Sequence, residues 1–527
     1  MTGVRQLFLS PLSVFSGLVA GFILLPLAYI IGLAVASPLA VWSRLWQTRI
    51  PELLANTASL AIGVSAGTLL LGVSLAWIVV RYDFAGRRFW EWAIVLPLTI
   101  PTYVLAYIYT YLLGLGGPIE RAWQMWAGPD VHVFSPYSYA GATLVMTLDT
   151  FPFVYLLTRA ALLNFNVSFE EVARACGASR WGTLLRVTLP LIRPAIVAGL
   201  SLVILYVVSD FGAVSLLRYP TFTYAVYQQL TGRYDRAAAA VLSLLLVFFA
   251  LIILITERWF RRRSRFYQTT GRYRIPERHA CDPIGTAFIT AYLGIVLAAS
   301  FGVPALLLLT WTGAALTEGT IDSRFLGFVW NSTFLSGVAA TVAVLIGTPL
   351  AYLATRRSSR LIPLFLQAAY AGYVLPGPVG ALAILVLFSQ LAPFWYGSVV
   401  VLIVAYVVHF LPAGLQTMEP ALQQVTPNLE EAARSLGHGT RVVLTRITLP
   451  LVRGGFIVAW VLMFLQCMKE LPATLLLRPV GFDTLAVRVW LEASEEYYKL
   501  AAPAALLIVA MTLPALFLLV SKDWRAA

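Results

Sequence analysis

Charge is what this chain has least of. Only 12% of its 527 residues are Asp, Glu, Lys or Arg, and lysine occurs just three times, as Lys469, Lys499 and Lys522. None of the three follows glycine, which excludes a GxxxxGK[ST] phosphate-binding loop. ATP hydrolysis by that route is closed to this chain. Cysteine is equally scarce. Cys176, Cys281 and Cys467 form no CxxC pair and provide no disulfide framework. The four histidines, His132, His279, His409 and His438, are scattered, so no stable metal site is expected. Short alternating strands are missing too, which argues against a β-barrel.

What is present is apolar. Hydrophobic residues make up 60% of the chain and the mean hydropathy is +0.82. Such values lie outside soluble usage and predict an all-α polytopic membrane protein. A crossing needs about 20 apolar residues. Twelve stretches qualify, near 13–36, 57–80, 92–113, 137–160, 193–212, 237–257, 286–312, 332–355, 363–389, 397–418, 454–475 and 500–521. The third and ninth contain Pro97, Pro101, Pro376 and Pro378. Broken helices are tolerated where they face protein or a water-filled cavity, so Pro101 and Pro376 are expected beside a pathway.

The net charge of +13 raises the question of nucleic acid, but the distribution points to lipid. With the N-terminus inside, most Lys and Arg fall in inner segments, as the positive-inside rule requires. Both termini are then cytoplasmic, and nucleic acid is not an expected partner. The basic run 258–278 reads as a topology anchor on anionic lipid. The first apolar run is too long for a signal-peptide core, although Ala34-Val35-Ala36 resembles a cleavage site, so it is expected to be an uncleaved span.

A repeat runs almost the whole length. Asn56-Thr57 matches Asn331-Ser332, Arg81 matches Arg356 and Pro101 matches Pro376, all at an offset of 275. Beyond the loop 114–136, which has no full counterpart, the offset becomes 260: Pro152 matches Pro412, and SDFGAVSLLR (209–218) aligns with KELPATLLLR (469–478). The halves are 1–272 and 273–527. Six spans in each make the repeats parallel, a pseudo-dimer.

The most polar shared segment is EEVARACGASRWGTLLRVTLPLIR (170–193), repeated as EEAARSLGHGTRVVLTRITLPLVR (430–453). Both copies fall between the fourth and fifth spans of their half, on the same side. Ser168 with Glu171, and Asn428 with Glu431, read as capping pairs. Glu170, Glu171, Glu430 and Glu431 lie in the first turn, where the helix dipole favours them. Gly177 and Gly437 stand where a glycine ends a helix. Ala173, Ala175 and Ala433 give a thin flank for close approach. Leu189-Pro190 and Leu449-Pro450 lead into the next span. A plain re-entry helix would explain one copy. Two copies, near 168–177 and 428–437, suit a partner with two-fold symmetry.

Polar residues inside spans are expensive and mark a pathway or an internal pair. Asp210 aligns with Glu470, and Asp149 with His409. Lys469 precedes Glu470 and can pair with it. Pathway lining, structural pairing and, for His409, simple packing all stay open from the residues alone.

The pattern E-x-A-x(3)-G followed by I/V-x-L-P resembles the coupling-loop motif of membrane subunits of type I ATP-binding-cassette importers. Here it is Glu171, Ala173, Gly177, Val187, Leu189 and Pro190, then Glu431, Ala433, Gly437, Ile447, Leu449 and Pro450. Over 209–240 and 468–502 the chain is similar to the fused permeases of bacterial ferric-iron importers. The resemblance implies two copies of a nucleotide-binding ATPase at the cytoplasmic face, a substrate-binding protein at the outer face and a location in the bacterial cytoplasmic membrane. It implies no cofactor in this chain, with ATP and magnesium held on the ATPase. It implies transport of ferric iron by alternating access. Thiamine, polyamine or phosphonate permeases share the layout, and an ion-driven secondary transporter is the rival of another class.

Overall fold

The computed structural model describes residues 11–128, 130–262, 278–356 and 361–526. Residues 263–277 of the basic run 258–278 lie outside them. The N-terminal half contains α1 (Pro11–Val35), α2 (Ile50–Arg81), α3 (Arg87–Ala93), α4 (Thr102–Leu113), α5 (Pro118–Ala127), α6 (Tyr139–Leu163), α7 (Ser168–Ala175), α8 (Leu189–Ser209), α9 (Gly212–Leu216), α10 (Phe222–Thr231) and α11 (Arg236–Arg262). The C-terminal half contains α12 (Pro283–Thr317, with a π-turn at Ala298–Gly302), α13 (Phe325–Arg356), α14 (Leu361–Tyr370), α15 (Gly377–Leu391), α16 (Val399–Gln423) and α17 (Pro427–Ser435). It continues through α18 (Leu449–Lys469), α19 (Pro472–Leu477), α20 (Leu485–Ser494) and α21 (Tyr498–Ala526). The β-structure among the described residues is a two-residue parallel pairing, Tyr82–Asp83 with His279–Ala280.

Nine helices among the described residues are long and apolar enough to cross a bilayer. The remaining three expected spans are the third, ninth and twelfth. The third is bent by 92° at a break before Thr102. Pro101 there is extended, φ −62° and ψ 145°, and opens α4. Pro376 opens α15 in the same way, φ −55° and ψ 146°. Proline has no N–H to give and restricts the residue before it, so each helix restarts at the proline. The twelfth is α21, whose apolar part is Tyr498–Pro514.

The repeated residues make repeated contacts. Asn56 donates to the Pro220 carbonyl and Asn331 to the Asp483 carbonyl, at 3.2 and 3.0 Å. The Thr57 hydroxyl accepts the Phe222 N–H, and the Ser332 hydroxyl accepts the Leu485 N–H. Thus α2 is pinned to α10 as α13 is pinned to α20. Both α2 and α13 have 32 residues, about 48 Å, which exceeds the roughly 30 Å hydrocarbon layer. Each therefore extends beyond it at one end or both, and each ends in an arginine, Arg81 or Arg356.

The first spans are exchanged. Tyr29 of α1 donates to Gln390 of α15 at 2.6 Å, and Ile23 sits in the core of α13, α16 and α18. Conversely, Tyr292 of α12 hydrogen-bonds Ser74 of α2 at 2.7 Å, and Leu293 and Val296 sit in the core of α2, α6 and α8. Each half thus packs its opening span against the other.

Candidate functional site

The two surface helices, α7 and α17, are held by one polar design used twice. Arg81 at the end of α2 donates to Glu170 at 2.5 Å, and the Thr188 hydroxyl donates to the same Oε1 at 2.6 Å. Arg356 at the end of α13 donates to Glu430 at 2.9 Å, and Thr448 donates at 3.0 Å. Arg174 and Arg434 add i,i+4 ion pairs at 3.7 and 3.4 Å. Glu170 and Glu430 are buried, 3% and 2% exposed. The residue one turn before each arginine differs. Trp77 stacks under the Arg81 guanidinium at 4.9 Å. Tyr352, at the matching position, donates its hydroxyl to Glu430 at 2.8 Å. Burial pushes the Glu430 carboxyl up, but hydrogen bonds from Tyr352, Arg356 and Thr448 outweigh it and leave the pKa below the usual glutamate range.

The threonines are presented by π-turns, Leu184–Thr188 and Leu444–Thr448. The cause is the following Leu-Pro. Pro190 and Pro450 lack an N–H and crowd the carbonyl four residues back. The widened turn, in which Leu189 N–H reaches Leu184 and Leu449 N–H reaches Leu444, relieves this. Leu189 and Leu449 then open α8 and α18.

Both surface helices end as expected. Gly177 and Gly437 are left-handed, φ +88° and +85°. Ala178 N–H reaches Ala173 and Gly177 N–H reaches Arg174; His438 N–H reaches Ala433 and Gly437 N–H reaches Arg434. That is a Schellman closure in each copy. Their beginnings differ from expectation. Neither Ser168 nor Asn428 is the capping residue: the caps are Val167 and Thr426, with no side-chain cap bond. Asn166 Oδ1 takes the Ser168 N–H instead, and Pro427 starts α17 with its preset φ.

The face expected to be exposed also needs correction. Glu171 and Glu431 are exposed, whereas Glu170 and Glu430 point inward. Ala433 is buried, Ala173 half-buried and Ala175 exposed. The outward faces carry Phe169 and Val172 on α7, and Leu429 and Leu436 on or just after α17, all exposed. Sequence reading passed over these apolar residues and gave no role to Arg81, Arg356, Thr188 or Thr448. The matched arginines were the available signal.

A second arrangement lies at the breaks after α8 and α18. Asp210 is extended at the end of α8. Its Oδ2 accepts from Thr102 at 2.7 Å, and its Oδ1 accepts the Ala213 N–H at 3.0 Å, capping α9. Glu470 does the same for α19, with Oε1 on the Ala473 N–H at 3.1 Å. The residue matching Thr102 is Gly377. A Cβ there would lie 2.5 Å from Pro472 Cγ and 3.5 Å from Glu470 Oε1. Asp210 is thus met by a threonine, whereas at the matching place the glycine makes room for Pro472.

Lys469 does not pair with Glu470. Its Nζ donates to the Leu98 carbonyl of the N-terminal half at 2.6 Å, and it interacts electrostatically with the buried Asp149 of α6. Asp149 also lies beside Tyr206. His409, which matches Asp149, rests edge-on against Phe410, centroids 4.8 Å apart. The residue matching Lys469 is Ser209. This polar link between the halves therefore exists on one side of the pseudo-dimer. Among the described residues no cluster of three or more His, Cys, Asp or Glu is placed to hold a metal.

Two duplicated bundles with exchanged first spans, each displaying one clamped surface helix, define a fused pair of membrane permease units. The chain belongs to the family of binding-protein-dependent transport system inner membrane components, whose pattern matches twice, at residues 68–266 and 343–524. It is 32% identical over 478 residues to the Fe(3+)-transport system permease protein FbpB 2 of Haemophilus influenzae, covering 90% of each chain. It is 24% identical to the ferric transport system permease protein FbpB of Actinobacillus pleuropneumoniae, over 93% of this chain and 73% of that one. The molybdenum transport system permease protein ModB of Escherichia coli is 31% identical over 226 residues, 42% of this chain and 95% of its own. The protein is accordingly a duplicated, multi-pass permease subunit of an ATP-binding-cassette importer.

Proposed function

We propose that this permease carries ferric iron, delivered by a substrate-binding protein at its outer face, into the cytoplasm by ATP-driven alternating access. The halves 1–272 and 273–527 each supply one coupling helix, α7 and α17, to one of two identical ATPase subunits. Hydrolysis takes place on those subunits and not on this chain. Both termini lie on the coupling side, in the cytoplasm.

The carrying observation is the doubled clamp. Arg81–Glu170–Thr188 and Arg356–Glu430–Thr448 tie each surface helix at once to the second span and to the entry of the fifth span of its half. A push on α7 or α17 is therefore delivered to two spans together. Glu171, Phe169 and Val172, with Glu431, Leu429 and Leu436, face the partner. Coupling requires that the ATPase bind the two arrangements of the halves with different affinity. An ion-driven carrier has no use for such handles.

Ferric iron is supported by the relatives named for ferric transport, one of them matched over 90% of both chains. It is a hard cation that prefers oxygen donors. Asp210, Glu470 and Asp149 offer carboxylates along the route, and a transient path needs no resident metal site. A molybdenum permease is matched over one half, so an oxyanion is the second cargo to test. The experiment is reconstitution with the cognate ATPase and binding protein, followed by ATP-dependent uptake of labelled ferric iron against molybdate and thiamine. Iron uptake abolished by omitting ATP supports the reading. Uptake of either competitor in its place would overturn the cargo, and an ATPase that fails to bind would overturn the class of mechanism.

A further inference from the structure

The segment 114–136, which the C-terminal half does not repeat in full, carries a helix turned inside out. Glu120 of α5 is buried, 1% exposed. It hydrogen-bonds His132 Nδ1 at 2.5 Å, and accepts the Val133 N–H and the Gln124 amide, each at 3.0 Å. The polar side of α5 thus faces the protein. The opposite side carries Ile119, Ala122, Trp123 and Trp126 within one arc of the helix, flanked by Met125 and preceded by Leu115, and all are exposed. A helix washed by water shows the reverse pattern. Arg121 stands at the edge of this face, its Nε–H on the Gly116 carbonyl at 2.7 Å.

Position adds to composition. The span α6 has 25 residues, about 37 Å, with α5 before its start and α7 after its end. The inverted helix therefore lies at the end of the bundle opposite the coupling helices. At the matching place in the C-terminal half, beyond α15, Phe394, Trp395 and Tyr396 are exposed. Aromatic residues gather at this level where a bilayer meets water.

We propose that α5 is an interfacial membrane helix. It lies along the outer leaflet with Trp123, Met125 and Trp126 at the boundary of headgroups and acyl chains, and the Glu120 cluster fixes it in that pose. The occupant of the exposed face is lipid. The face continues directly from the end of span three through the short link 114–117. Apolar area in the bilayer boundary supplies the attraction.

The test uses the full chain in nanodiscs of phosphatidylethanolamine and phosphatidylglycerol, with no other protein present. A nitroxide is placed at Trp126→Cys and, as a control on the same loop, at the exposed Asp130→Cys. Both are read against the unsubstituted chain, whose own exposed thiol is Cys176. Collision with oxygen should exceed collision with a water-soluble nickel chelate at position 126 and fall below it at position 130. Glu120→Gln should lower the oxygen preference at 126, because the clamp and not the lipid sets the pose. Nickel access at 126 equal to that at 130 would overturn the proposal. So would nickel access that disappears only when the binding protein is added, which would assign the face to that partner.

Discussion

Glu430 decides how α17 responds to charge. Its carboxylate is nearly inaccessible and accepts bonds from Arg356, Thr448 and Tyr352. Removing Arg356 leaves a buried anion, which costs about 3–5 kcal/mol when a buried pair is broken. Arg356→Met should therefore loosen α17 and lower the melting temperature, whereas the double variant Arg356→Met/Glu430→Met should recover much of the loss. Equal destabilisation of single and double variants would sink the claim. The pH dependence follows from the same contacts. A carboxyl with a depressed folded pKa stabilises above the usual glutamate range, and that contribution is lost as pH falls through the depressed value. Protection of the α17 amides, corrected for the intrinsic pH dependence of exchange, should fall as pH drops below the usual glutamate range, and Glu430→Gln should flatten that change. Exchange unaffected by the substitution would place the acid sensitivity elsewhere. Little of this was legible in the sequence, because Glu170 and Glu171 are identical letters. Burial alone separates the clamp from the exposed neighbour. The usual rule of charge outward and apolar inward also fails on α7 and α17, where Phe169 and Leu429 face outward.

The helix ends were more readable than the helix faces. A glycine after a short polar helix has one economical use, and Gly177 and Gly437 both adopt it, with open space around the missing side chain. Substitution there strains the backbone without a clash. A β-branched residue in the left-handed region costs about 1–2 kcal/mol, so Gly437→Val should unravel the end of α17 and weaken ATPase binding more than Gly437→Asn, which tolerates that region. Equal binding by the two variants, in a pull-down with the ATPase, would refute the backbone argument. The capping pairs were misread because Ser-x-x-Glu fits more than one frame, and the true starts depend on Asn166 and Pro427. The broken spans were legible through their prolines. Their mutual fit was not, since Thr102 with Asp210 and Gly377 with Pro472 are complementary only in space. Gly377→Ala should be costly, because its Cβ would meet Pro472 at 2.5 Å. A melting temperature that drops in Gly377→Ala but recovers in Gly377→Ala/Glu470→Asp would assign the strain to the carboxylate, and no recovery would assign it to Pro472.

At the scale of the whole molecule, the repeat announced two equivalent halves, and the structure adds two features that repeat-matching hides. One is the exchange of first spans, invisible because α1 and α12 are apolar throughout and carry no address for the partner half. The other is asymmetry. Lys469 of the C-terminal half reaches the Leu98 carbonyl and interacts with Asp149, both in the N-terminal half, while the matching positions hold Ser209 and His409. One polar link, the Lys469 bond to the Leu98 carbonyl, thus joins the halves on one side only. Removing the lysine leaves the Leu98 carbonyl without its donor and takes the nearby cation from the buried Asp149, which still has Tyr206 beside it. Lys469→Met should therefore impair assembly strongly, and Lys469→Met/Asp149→Asn should restore it. Transport by the restored protein then separates the two roles that the residues alone left open. A double variant that melts like the parent and transports at the parental rate makes the pair a fastener between halves. A double variant that melts like the parent yet transports poorly, with ATPase binding intact, makes the pair part of the route or of the gate. If the double variant is no more stable than Lys469→Met alone, Asp149 is not the partner, and the Leu98 carbonyl is what holds the lysine in place.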